Sequence, residues 1–172
     1  MVTESITVIE GEDTIRTLLS LQFVYKGSTE YREYGCFISG AKTLREIEVM
    51  MCAYGMPPES VSNFPSIVML DAGKLKEISL KNNGNSFKLE ILLNLLEEIY
   101  KDVNFTRLAV DRFDLLSEES TRKDMENFFN FVRMNRINVI LTVDLNKNFD
   151  FFDIYDNYIV VRKGLLPPIL FH

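Results

Sequence analysis

The sequence predicts an α/β fold: a mainly parallel sheet with helices on both faces, in three layers. Three observations carry this. Six short runs rich in Val and Ile recur without polar alternation, as strands buried on both faces do. Segments of helical periodicity separate them. Strand and helix signals alternate throughout, the mark of parallel strands joined by crossover helices. The 172 residues suffice for one domain, 1–172, with a substantial core, and contain no repeat, low-complexity tract or linker.

Taken in order, Ile6-Thr7-Val8-Ile9 is an apolar run ending at Gly11. Leu18, Leu19, Leu21, Phe23 and Tyr25 follow at helical density, with Lys26-Gly27 as a stop signal. Tyr34 to Ser39 is a second strand. Thr43 and Glu46 have capping-box spacing ahead of a helix with Leu44, Ile47, Met50 and Met51, which ends near Gly55 and Pro57-Pro58. Ser66 to Asp71 is a third strand. Lys81 to Ser86 reads as a loop before a helix with Leu89, Leu92, Leu96 and Ile99 on one face. Arg107 to Asp111 is a fourth strand, and Ser117 opens an amphipathic helix through Met125, Phe128, Phe129 and Val132. Asn138 to Asp144 and Tyr158 to Val161 are the last two strands.

Composition narrows the function. A net charge of −6, with no block of five basic residues, argues against a nucleic-acid partner. Cys36 and Cys52 match no zinc or redox spacing and fall in apolar segments, so both read as reduced core thiols. No run reaches 18 apolar residues and no leader pattern opens the chain, so the expectation is a cytoplasmic protein without a membrane partner.

Ligands of parallel α/β folds bind at the carboxyl ends of the strands. Those ends carry Gly11, Ser39, Asp71, Asp111 and Asp144. Residues 11–17, Gly-Glu-Asp-Thr-Ile-Arg-Thr, fall just short of the phosphate loop G-x-x-x-x-G-K-[ST]. One residue is missing, Ile15 stands for the second glycine, and Arg16 replaces the lysine. Glycines in such a loop turn successive N–H groups toward phosphate; Ile15 resists that geometry, and Glu12 and Asp13 would repel the ligand. Gly11, Arg16 and Thr17 are what remains of a cofactor-binding set. The structural alternative has Asp13 or Thr14 capping the next helix. A rival site would gather Asp71, Asp111 and Asp144 on one Mg²⁺, although no nucleophile motif or histidine accompanies them.

Several segments, in order, resemble the KaiC-like branch of the RecA-type ATPases, which includes archaeal RadA paralogues. Residues 6–11 resemble the strand entering that family's P-loop, and Leu19 to Gly27 its "ALQFLYNG" helix. Glu33 to Ser39 resembles its second strand, Leu44 to Gly55 its next helix, and Arg107 to Asp111 its Walker B strand, "RVVIDSL". Asn138 to Thr142 and Tyr155 to Val161 resemble the closing strands. The resemblance spans residues 5–163 and implies a RecA/KaiC-like P-loop NTPase core. It implies that Asp111 is the metal-binding aspartate and that a Glu-Glu pair should follow Ser39. Gly40-Ala41-Lys42 stands there instead. The chain is also shorter than the usual family domain.

No catalytic residue is therefore assigned, and no cofactor is expected; ATP with Mg²⁺ at Arg16, Thr17 and Asp111 is the alternative. The function this implies is that of an inactive core acting as a protein-interaction or regulatory subunit, with a protein partner or self-association. Met50, Met51, Met56 and Cys52 read as a buried helix face. Two aromatic sets, Phe128-Phe129-Phe131 and Phe149-Phe151-Phe152-Tyr155-Tyr158, are candidates for an interface, since one helical stripe buries Phe128, Phe129 and Val132 and leaves Phe131 aside. Leu165 to Phe171 is an apolar tail that needs a packing surface. His172 has no assigned role.

Overall fold

A computed structural model describes residues 4–61, 66–83, 87–145 and 154–162. The elements run β1 (Ile6–Gly11), α1 (Asp13–Tyr31), β2 (Gly35–Ser39), α2 (Leu44–Ala53), a 3₁₀ turn (Pro58–Val61), β3 (Ile67–Asp71), α3 (Ala72–Asn83), α4 (Leu89–Val103), β4 (Arg107–Asp111), α5 (Phe113–Leu116), α6 (Arg122–Met134), β5 (Asn138–Asp144) and β6 (Asn157–Val161). The strands form one sheet in the order β3-β2-β4-β5-β1-β6, with every pair parallel. No described helix is long and apolar enough to cross a membrane.

Successive side chains of a strand point to opposite faces, and this divides the core in two. Phe37 and Ala109 pack with Leu18, Leu21 and Val24 of α1 and Ile47 and Met51 of α2. Cys36, Ile38, Leu108 and Val110 face the other layer, with Leu92 and Leu96 of α4 and Phe128 and Val132 of α6. All six predicted strands are present, and the helices cover both faces. Cys36 is buried, which pushes its thiol up to about 12. Cys52 departs from expectation: it lies exposed on α2, whose buried side is carried by Ile47 and Met51.

Several boundaries differ from the sequence reading. α1 runs through Gly27 to Tyr31. A glycine inside a helix costs about 1 kcal/mol against alanine, which is why it reads as a stop. Here it admits Arg107: a Cβ at position 27 would stand 2.4 Å from Arg107 Cδ. The guanidinium donates to the Phe23 carbonyl at 2.9 Å, pairs with Glu33, and lies 4.8 Å from the Phe23 ring centroid. The helix ends where Arg32 turns left-handed. Thr43 and Glu46 form the expected capping box on α2. A second box, Thr121 with Asp124, starts α6 at Arg122, so the helix begins after Ser117 and one-turn α5 precedes it. α3 is absent from the sequence reading, because among its residues of described burial, 72–81, only Ala72 belongs to the buried core; Lys81 to Asn83 close it, and 84–86 lie outside the described residues.

The aromatic interface reading is corrected for α6. Phe128 is fully buried, and Phe129 and Phe131 are 2% and 9% exposed. Phe131 meets Tyr100 of α4 edge-to-face at 5.8 Å, so α4 covers the flank that one stripe alone would leave open. Phe149, Phe151, Phe152, Leu165 to Phe171 and His172 lie outside the described residues.

Gly40 fixes how closely β2 approaches β4 at the functional end. Its N–H donates to the Asp111 carbonyl at 2.8 Å. A Cβ there would meet the Asp111 and Arg112 carbonyl oxygens at 2.7 and 2.9 Å. Both are backbone atoms and cannot swing away. Gly40→Ala should therefore destabilise the protein by about 1–3 kcal/mol, the range for overpacking. A thermal melt checks it: a loss of at least about 2 °C is expected for a chain of this size, and an unchanged midpoint would mean the strand ends are looser than described.

Candidate functional site

β1, β4 and β5 end side by side, and their last residues meet the first turn of α1. Gly11 pairs in register with Asp144. One residue, Glu12, links β1 to α1, which begins at Asp13. Ile15 lies within the helix and so never faces a left-handed position. Glu12 occupies the N-cap without a side-chain hydrogen bond, so neither Asp13 nor Thr14 caps the helix as expected. Asp13 is committed to cations instead.

Arg16 is the centre of the site. It stands one turn into α1, and its side chain is 1% exposed. Nη1 donates to the Gly11 carbonyl at 2.8 Å and to Asp144 Oδ1 at 2.9 Å. Nη2 donates to Asp13 Oδ1 at 2.7 Å. Nε lies 3.9 Å from Asp111 Oδ1 and has no hydrogen-bond partner among the described residues. The guanidinium is thus ringed by three carboxylates and a carbonyl.

Asp111 is fully buried at the end of β4. Thr17 Oγ1 donates to its Oδ2 at 2.9 Å, and Thr142 Oγ1 to its Oδ1 at 2.6 Å. Burial pushes the Asp111 carboxyl up, opposed by those two hydroxyls and by the charges of Lys42 and Arg16. Asp13 goes the other way. Burial alone would raise it, but the Lys42 hydrogen bond and the charges of Lys42, Arg16 and Arg112 together hold it below the usual carboxylate range.

Two more cations close the ring. Lys42 follows β2 and reaches Asp13 Oδ1 at 2.6 Å and Thr17 Oγ1 at 3.4 Å. Its carbonyl accepts from Ser39 Oγ, which holds the turn after β2. Arg112, at a left-handed φ of 60°, grips Asp114 through two hydrogen bonds at 3.0 and 2.9 Å and lies 3.7 Å from Asp144. Its N–H donates to Thr142 Oγ1 at 3.0 Å.

Gly11, Arg16, Thr17 and Asp111, singled out from the sequence, therefore meet at one place. The convergence of Asp71 with Asp111 and Asp144 is overturned. Asp71 ends edge strand β3, with β2 between it and β4, so two strand spacings of about 4.8 Å separate them. Its Oδ1 accepts from the Lys74 N–H. Among the described residues no three Asp, Glu, His or Cys side chains gather as a metal set. Sequence reasoning missed Lys42, Arg112 and Thr142 as members of the site. The available signal was Lys42, a cation where the resembled family has acids.

The family model described as "ATPase: KaiC" matches residues 1–163. Among solved structures, a KaiC-like protein of the hyperthermophilic archaeon Pyrococcus horikoshii OT3 aligns with a TM-score of 0.74 and 21% identity, over 95% of this chain and 75% of that one. At that identity the likeness is one of fold. No curated protein sequence matches.

Proposed function

We propose that this chain, which belongs to the KaiC ATPase family, does not turn over ATP and serves as a protein-interaction or regulatory subunit. The observation that carries this reading is the buried Arg16 guanidinium, locked between Asp13, Asp144 and the Gly11 carbonyl. A single residue between β1 and α1 leaves no loop of N–H groups to surround a polyphosphate. Lys42 follows the second strand, where a general base would stand, and losing such a base costs about 10²–10⁴ in rate.

The side chains do not suit a resident Mg²⁺ either. That ion takes about six oxygens near 2.1 Å. Both Asp111 oxygens already accept hydroxyl donors, and Asp144 Oδ1 accepts from Arg16. What such a domain retains is its shape, and shape suffices for docking on a partner protein or on itself.

A second reading, a nucleotide-binding or weakly hydrolysing protein using Arg16, Thr17 and Asp111, is favoured by one observation. Lys42 brings an ammonium within 3.4 Å of Thr17, so lysine, threonine and aspartate meet as a phosphate site requires. Calorimetric titration with Mg²⁺-ATP separates the two. The first reading expects no heat at a dissociation constant of about 0.1 mM, roughly 5.5 kcal/mol of binding. Tighter binding, lost in Lys42→Ala, would establish the second. Sedimentation and crosslinking then test the partner role: a monomer that engages neither itself nor an intact member of the family would count against it.

A further inference from the structure

We infer that Arg16 is a tethered counter-cation, and that the pocket it fills is a guanidinium site that a free guanidinium ion occupies once the tether is cut. Acidic groups alone do not make a site; the pocket has more. Its acceptors address all three guanidinium nitrogens: Gly11 O and Asp144 Oδ1 on Nη1, Asp13 Oδ1 on Nη2, and Asp111 Oδ1 beyond Nε. A planar fork matches carboxylates in this way and a spherical ion does not. The cation is almost wholly enclosed, and one edge of the fork is left unused: Nε is buried without a hydrogen bond, 3.9 Å from the Asp111 carboxylate.

The tether explains that gap. Nε is held by its bond to Cδ, and its one hydrogen points where the chain dictates. A free guanidinium has two hydrogens on its third nitrogen and can turn to aim one at Asp111. Arg16→Ala leaves the acceptors in place on three strands and the first turn of α1, and empties the space between them. The occupant then depends on charge and shape together. Lys42 and Arg112 stay at the rim, each already committed to a carboxylate, so neither is free to refill the centre.

The test is a thermal melt of the full chain in sodium chloride, guanidinium chloride and manganese chloride at equal ionic strength, for the wild type and Arg16→Ala. Guanidinium lowers every midpoint as a denaturant, so the wild type supplies the baseline: at ten times its dissociation constant it should raise the variant's midpoint relative to the wild type's by about 3–6 °C. No gain of the variant over the wild type, or the same gain with manganese in place of guanidinium, would overturn the inference. If Arg16→Ala is recovered only from denaturant, the same salts are compared in refolding yield from urea. A gain specific to guanidinium and to the variant supports the site, and no gain refutes it. None of these outcomes depends on whether ATP binds.

Discussion

Arg16→Ala is expected to destabilise the protein by about 3 kcal/mol, lowering the melting midpoint by about 6–12 °C. The magnitude comes from which partner is buried. Asp13 and Asp144 are 57% and 42% exposed, so water re-solvates them when the cation goes, and each pair contributes at most about 1 kcal/mol. Asp111 is fully enclosed and would lose the cation beside it, with no water to take its place. Removing one partner of a buried pair costs about 3–5 kcal/mol, because the other is left uncompensated. The lower end applies here, since Thr17 and Thr142 still hydrogen-bond Asp111 and the Nε contact is long. Urea unfolding of Arg16→Ala, Asp111→Asn and the double variant decides the cause. If the orphaned charge is the cost, Asp111→Asn in the Arg16→Ala background should recover stability. Strictly additive losses would mean that the arginine stem, not its charge, holds the strand ends together.

The framework of this site was legible in the sequence because it is carried by local pattern. Val- and Ile-rich runs placed all six strands, and the aspartates that end β4 and β5 were visible as such. The Thr43–Glu46 box was legible because both partners lie within one turn. What sequence did not reveal is a property of pairs far apart along the chain. Gly27 reads as a helix stop until Arg107, 80 positions away, is seen packed against it. Arg16 reads as a poor substitute for a phosphate-binding lysine until Asp144 is seen to hold it. In both cases an arginine meets a partner that only the fold brings near. Asp71 erred the other way. It ends a strand like the others, but strand order put it at the edge, and order is not written in any single strand.

Phe128→Ala tests the other half of the architecture, and about 3–5 kcal/mol should be lost. Its ring is fully buried, with centroids 5.4 Å from both Phe113 and Phe129, and Phe113 and Phe129 are 6.2 Å apart. This cluster joins α5 to α6 and so supports the turn that follows Asp111. Alanine leaves a hole that two rigid rings, each fixed by the other, fill poorly. The midpoint should fall by about 10 °C, with Asp111 and its neighbours loosened as a consequence. On an interface reading of the same aromatics the loss would appear in association, with folding untouched. Met134, 83% exposed at the end of the same helix, supplies the control. Met134→Lys should change stability by less than about 0.5 kcal/mol, as surface substitutions do. If Phe128→Ala melts like the wild type while Met134→Lys does not, α6 turns its other face to the sheet.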